Sequence, residues 1–363
     1  MSQAFAPVRI GSWDLPQSFV MAPMTRSRAG VGNAPTALNA EYYAQRAGAG
    51  LIITEGTAPS PVGQGYPSVP GLYTPEQVDG WRAVTSRVHA EGAVIVAQLM
   101  HVGRIAHASN KNDLDTIAPS AVQAPGQIFT PAGMLDHDVP RAIGAGEISE
   151  VVAEFVAAAV NAIDAGLDGV EIHSANGYLL HQFLDPTVNR RNDLYGGTPQ
   201  RRARFVIEVI EAVAAAIGAE RVGVRLSPGH QFNGIGELPG NDLTTTYRAV
   251  VDAIAPIGLG YLSLIVSHPF DQFEPYVGDL RARFGGSVLI NTATPEPTTL
   301  NTVERLLSSR LADSVAVGRG FLANPDLVER WRIGAELNNI DFATVYSGDS
   351  RGYTDYPVLV SRQ

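Results

Sequence analysis

The stretch GVEIHSA at Gly169–Ala175 decides the fold. It follows Glu147–Gly166, where Val151, Val152, Phe155, Val156, Ala159, Val160 and Ile163 form one apolar stripe at helical spacing. Within the stretch, Val170 and Ile172 alternate with Glu171 and His173, so one face is apolar and the other carries a carboxylate and an imidazole. A helix leading into a short, largely apolar strand is the unit of a parallel sheet covered on both sides. The unit recurs outward in both directions. Apolar runs rich in β-branched residues are read as strands at Ser18–Met24, Leu51–Gly56, Ala93–Met100, Arg221–Pro228, Tyr261–Ser267, Ser287–Ala293 and Ser314–Phe321. With Gly169–Ala175 these give eight strand–helix alternations, an α/β pattern that points to a (β/α)8 barrel rather than an open sheet.

Helix starts are well marked. Thr74-Pro75-Glu76-Gln77 offers a cap hydroxyl, a proline at the first helical position and a glutamine for a capping box. Thr198-Pro199 and Asn324-Pro325 repeat the cap-then-proline signal. The chain of 363 residues suits one barrel, so residues 1–363 are expected to form a single domain. The segment before Ser18 is expected to close the barrel bottom. Residues 105–146, the longest irregular stretch, follow the third strand and have the length of a functional lid.

Composition narrows the function. Charged residues are 17% and hydrophobic residues 45%, which argues against disorder. An acidic excess of 36 over 26, net −10, argues against sequence-independent nucleic-acid binding. With no cysteine, the chain has no disulfide, thiolate nucleophile or zinc-thiolate site. The N-terminus lacks a basic region followed by an apolar one, and no apolar run approaches the length of a membrane span. A cytoplasmic protein is the expectation.

In such a barrel the site lies where the strands end. Gln98, Glu171, His173, Arg225, Asn291 and Arg319 all fall at or near strand ends, and His101 just beyond one. Buried polar groups cost about 1–3 kcal/mol each unless satisfied, so several on one face suggest a bound polar ligand; an internal hydrogen-bonded network is the alternative. Strand four runs on into His173-Ser-Ala-Asn176-Gly-Tyr178. His173 and Asn176 are placed to donate to one ligand oxygen, and the Tyr178 phenol suits proton delivery at neutral pH. A satisfied core histidine explains His-x-x-Asn equally well. No second ligand stands at metal spacing with His173, and His101 and His107 are read as loop residues, so no metal site is assigned. Gly318-Arg319-Gly320 leads into a helix expected to begin at Asn324, an arrangement suited to a phosphate; a tight turn with a surface arginine is the alternative. No Gly-x-Gly-x-x-Gly follows the first strand, so a tightly held dinucleotide is not indicated.

These residues resemble the old yellow enzyme family of FMN-dependent ene-reductases, the NADH:flavin oxidoreductase and 12-oxophytodienoate reductase group. The resemblance spans nearly the whole chain. It rests on MAPMTRSRA (Met21–Ala29), EYYAQRA (Glu41–Ala47), GLIITEG (Gly50–Gly56), GVEIHSANGYLLHQFL (Gly169–Leu184), VNRRNDLYGG (Val188–Gly197), VGRGFLANPDL (Val317–Leu327) and GYTDYP (Gly352–Pro357). It implies a TIM barrel holding FMN tightly but non-covalently, with NADPH or NADH as transient hydride donor. It also implies that Pro23, Met24, Thr25, Gly56 and Gln98 contact the isoalloxazine, Arg225 faces N1 and O2, and Gly318, Arg319, Thr292 and Ala293 surround the phosphate. His173 and Asn176 would bind the activating oxygen of an α,β-unsaturated carbonyl or nitro compound. Tyr178 would protonate the carbon next to it while hydride arrives from flavin N5. Met100 and Tyr353 would line the pocket. Relatives occur as monomers and homodimers.

The sequence departs from the family pattern twice. Met100 stands where many relatives carry tryptophan, which implies a roomier wall, and Asn291-Thr292-Ala293 replaces the usual Gly-Gly after strand seven. The rival readings are a metal-dependent barrel hydrolase or aldolase, an idle FMN- or phosphate-binding barrel, and an amine dehydrogenase. Each lacks support in turn: no ligand cluster is apparent, His173, Asn176 and Tyr178 are all present, and cluster-ligating cysteines are absent.

Overall fold

The computed structural model describes residues 2–359. Eight parallel strands close into a barrel in sequential order. They are Phe19–Met21, Leu51–Thr57, Val94–Leu99, Gly169–Ser174, Val222–Leu226, Tyr261–Val266, Val288–Thr292 and Ser314–Val317. Every strand expected from the sequence is present, most of them shorter than expected, while the second runs one residue further, to Thr57. The eighth stops at Val317 because Gly318 opens a short helix, Arg319–Ala323.

The alternation in strand four has the expected result. Val170 and Ile172 join the layer between sheet and helices, while Glu171 and His173 point into the barrel beside Gln98 and Arg225 on neighbouring strands. The barrel bottom is filled by a separate apolar cluster that includes Trp13, Val20, Ile53, Val96, Tyr261 and Leu289. Trp13 comes from an antiparallel hairpin, Val8–Ile10 with Trp13–Leu15, so the segment before Ser18 does close that end. Tyr261 needs room on strand five. A Cβ on Gly223 would lie 2.1 Å from the Tyr261 ring, which only glycine avoids.

The cap at Thr74 forms as expected: its hydroxyl accepts from Gln77 N–H and the Gln77 carboxamide accepts from Thr74 N–H, at the start of helix Pro75–Ala90. Thr198 caps Pro199–Ile217 through its hydroxyl alone, which accepts from Arg201 N–H. Two expectations need correction. Asn324 ends helix Arg319–Ala323, donating to Gly320 O, and the next helix runs Leu327–Ile333. In helix Ile148–Asp164 the buried stripe is Ile148, Val151, Phe155, Ala158, Ala159 and Ala162, with Val160 39% exposed.

Residues 105–146 hold two small pairings, Ile117–Ala118 with Arg141–Ala142 and the hairpin Gln127–Thr130 with Gly133–Asp136. No helix of the described residues is long and apolar enough to cross a membrane. Gly223→Ala is expected to destabilise the barrel by about 1–3 kcal/mol through overpacking against Tyr261. Gly146→Ala, with open space around the new methyl, is expected to change little. Thermal unfolding midpoints of the two variants check this.

Candidate active site at the strand ends

Five polar side chains meet inside the upper barrel, and only some of their bonding capacity is used. Gln98 Nε2 donates to Glu171 Oε1 at 2.7 Å, and Gln98 N–H donates to Thr54 Oγ1. Arg225 Nη2 donates to Asn291 Oδ1 at 2.6 Å, while Asn291 Nδ2 donates to Ala316 O. Arg225 and Glu171 approach to 3.9 Å. Glu171 Oε2, His173 Nδ1, and Nε and Nη1 of Arg225 are buried without a partner among the described residues. Unanswered groups of this kind cost about 1–3 kcal/mol each, so the set is built for a ligand rather than closed on itself. Burial, with the Arg225 charge beside it, holds the His173 pKa well below the usual histidine value, so the imidazole is neutral. Burial raises the Glu171 pKa, and the Arg225 charge opposes that shift.

Tyr178 stands next to this group. Its ring meets the His173 ring edge-on at 5.1 Å, and its hydroxyl is 3.1 Å from that of Tyr66. Burial raises the Tyr178 pKa, while the bond to Tyr66 lowers it. A cavity of about 600 Å³ opens here, lined among others by Thr25, Tyr66, Ile128, Tyr178, Phe232 and Tyr346. Ile128 belongs to the hairpin of the long loop, so that loop does border the site.

The connection after strand four is sharply turned. Asn176 and Gly177 both take left-handed backbone, φ 56° and 76°, which asparagine and glycine tolerate best. Two further contacts pin the turn: Asn176 N–H donates to Ser227 Oγ, and Gly177 N–H donates to His181 Nδ1. His181 Nε2 therefore carries the proton and donates to Tyr247 OH, which donates to Glu237, which accepts from Gly229 N–H. This buried chain joins the turn after strand four to the turn after strand five.

Near strand one, Pro23, Met24 and Thr25 are half-buried, and Met24 lies against Gly318. Glu55 accepts from Arg26 N–H at 3.0 Å and from Tyr43 OH at 3.3 Å. Burial pushes its pKa up to about 7. Met100 packs over Gly56 and joins Val102, Ile105 and Tyr178 in an apolar wall. His101 and His107 accept from backbone N–H groups in their own loop, as expected.

Three expected site residues are placed differently. Tyr353 is fully buried, stacked on Tyr42 at 4.0 Å and bonded to Asn39, so it supports the site from behind; Tyr346 is the C-terminal tyrosine that lines the cavity. Arg28 holds this segment by donating to the carbonyls of Thr344, Val345, Ser347, Asp349 and Arg351. Ala293 N–H is committed to Val266 O, because strand pairing continues one residue past Thr292. The Arg319 guanidinium donates to the carbonyls of Thr294, Pro295 and Glu296, tying that loop to the short helix. Tyr66, Glu55 and His230 escaped the sequence reading. Nothing local marks them, since their partners Tyr178, Arg26, Tyr43 and Asn176 lie in loops, turns and a helix distant in sequence.

A sequence profile of the NADH:flavin oxidoreductase / NADH oxidase family matches residues 3–338. The chain belongs to that family. The chain is 40% identical to a probable flavin mononucleotide-dependent alkene reductase of Leishmania infantum, over 97% of this chain and 96% of that one. Its fold matches the old yellow enzyme homologue from Zymomonas mobilis with a TM-score of 0.92 at 36% identity, covering 98% of this chain and 100% of that one. Morphinone reductase in complex with tetrahydroNAD matches equally well, with a TM-score of 0.92 at 39% identity and 99% of both chains covered. The chain is thus an oxidoreductase of the old yellow enzyme family.

Glu55 gives this chain a pH signature. Its folded pKa of about 7 lies above the ordinary carboxylate value, so the folded state binds the extra proton between those limits. Its contribution to stability is full below the unfolded pKa and is lost as pH rises through 7. Glu55→Gln is expected to remove up to about 3 kcal/mol of that fall, the equivalent of the shift. The difference in unfolding midpoint between wild type and variant, followed from pH 5 to 8, should change in this direction.

Proposed function

We propose that this oxidoreductase is an FMN-dependent ene-reductase that takes hydride from NADPH or NADH and saturates the C=C bond of an α,β-unsaturated carbonyl or nitro compound. The observation that carries the reading is the set of buried, unpartnered groups at the strand ends: His173 Nδ1, the Arg225 nitrogens and Glu171 Oε2, beside the Tyr178 phenol. The donors suit a flat, polar ring that becomes anionic on reduction. Gln98 and Arg225 would hold its pyrimidine edge, Thr25, Pro23, Met24 and Gly56 its remaining edge and face, and the first turn of Arg319–Ala323, with Gly318, its phosphate. Thr292 and Arg319 would serve the phosphate only with loop 294–296 rearranged. Bound FMN supplies two-electron transfer between nicotinamide and alkene.

The protein's part is polarisation and proton delivery. His173 and the Asn176 carboxamide donate to the substrate's activating oxygen and stabilise the negative charge that builds there. Because burial keeps His173 neutral, it acts as a hydrogen-bond donor and not as a cation. Tyr178 Oη gives its proton to the α-carbon. Tyr66, 3.1 Å away, then donates a hydrogen bond to the phenolate left behind. Tyr66, Ile128, Phe232 and Tyr346 present an apolar surface to the rest of the substrate and exclude water. The 105–146 loop acts as the lid and residues 1–363 as one barrel unit, working on small molecules in the cytoplasm.

Tyr178→Phe is expected to retain FMN and its reduction by nicotinamide, but to slow enone reduction ~10²–10⁴-fold. Stopped-flow measurement of the two half-reactions checks this; unchanged enone turnover would take Tyr178 out of the mechanism. His173→Ala is expected to weaken binding of a para-substituted phenol by about 10-fold or more, the effect of losing a buried donor. Equal affinity in a spectral titration would refute the role of His173.

A further inference from the structure

We propose that His230 is a positioning residue that aims the Asn176 carboxamide into the ligand site. The proposal rests on the reading that Asn176 donates to a ligand oxygen. An asparagine side chain has two nearly isosteric ends of opposite character, so its usefulness as a donor depends on which end faces the ligand. His230 Nδ1 lies 3.2 Å from Asn176 Oδ1. A carboxamide oxygen only accepts, so Nδ1 carries the proton and donates. That fixes Oδ1 towards His230 and leaves the Nδ2 hydrogens, which have no partner among the described residues, free for the ligand.

Both partners are held in place from behind. Asn176 N–H donates to Ser227 Oγ at 2.8 Å, and Asn176 O accepts from Asn233 Nδ2 at 2.8 Å. His230 N–H donates to Ser227 O, and the preceding Gly229 N–H donates to the buried Glu237 carboxylate. The His230 ring stacks on Phe232, 5.8 Å between centroids and 12° between planes. Burial, together with His181, His268 and Arg225 nearby, keeps the His230 pKa below the usual histidine value, in keeping with a neutral donor. Without this bond the carboxamide is free to turn over, and half of its orientations set an oxygen lone pair against the ligand oxygen.

The test is a binding titration of the FMN-loaded protein with 4-hydroxybenzaldehyde, read by perturbation of the visible spectrum. His230→Phe keeps the stack on Phe232 and removes the donor; His230→Gln restores a donor. Flavin content and the unliganded spectrum show that each variant is folded. His230→Phe is expected to weaken binding about 3- to 10-fold, the range of one hydrogen bond. His230→Gln is expected to bind nearly as wild type. In an Asn176→Ala background, His230→Phe is expected to have no further effect, because it acts only through Asn176. Undiminished affinity in His230→Phe, no recovery in His230→Gln, or an equal loss with Asn176 already gone would overturn the proposal. If Asn176→Ala alone binds the phenol like wild type, the donor role of Asn176 fails and this proposal fails with it.

Discussion

Arg225 is a guanidinium inside a barrel, and most of what surrounds it follows from the need to answer its charge. Burying an unpaired ion costs several kcal/mol, so such a group persists only where partners are supplied. Glu171 on strand four supplies a counter-charge at 3.9 Å and Asn291 on strand seven supplies a hydrogen bond. These leave Nε and Nη1 unmatched. Glu171 in turn binds Gln98 and thereby fixes which end of that carboxamide is free. The interior polar layer is therefore one connected system whose remaining capacity faces the open end of the barrel. A fold that kept so many donors idle would lose stability, whereas one that fills them with a ligand recovers it on binding.

The turns above the strands extend the same logic. Gly177 and Gly229, the neighbours of Asn176 and His230, are held by a buried chain through His181, Tyr247 and Glu237. The C-terminal segment that presents Tyr346 hangs on the guanidinium of Arg28, which gathers its carbonyls. The cavity walls thus come from loops, but from loops held by buried charges and hydrogen bonds, as a site that must keep its geometry requires.

The barrel was readable from Gly169–Ala175 and its repeats because parallel strands must be apolar on both sides, a local property. His173, Asn176, Tyr178, Gln98 and Arg225 were readable because polar residues interrupt that rule at strand ends. The donor roles of His173 and Asn176 and the acid role of Tyr178 follow from these residue types, whereas the flavin roles of Gln98 and Arg225 come from the family resemblance. What stayed hidden depends on packing between distant segments. Nothing in GYTDYP tells that Tyr353 stacks on Tyr42 while Tyr346, earlier in the same segment, reaches the cavity. Nothing at Thr292-Ala293 tells that Ala293 N–H continues the pairing with strand six. Periodicity puts Val160 on the apolar stripe because it gives the direction of the contact but not its width, and Val160 is 39% exposed.

The central claim is that the idle polar groups at the strand ends would hold FMN, which would supply electron transfer from a nicotinamide to an electron-poor alkene. The most direct measurement is the anaerobic absorbance spectrum of the purified protein, reconstituted with FMN if needed, during addition of NADPH and then cyclohexenone. The account predicts a bound-flavin spectrum that bleaches with NADPH and returns, in proportion to the enone added. A protein that takes up no FMN, or a reduced flavin that the enone leaves bleached, would contradict it.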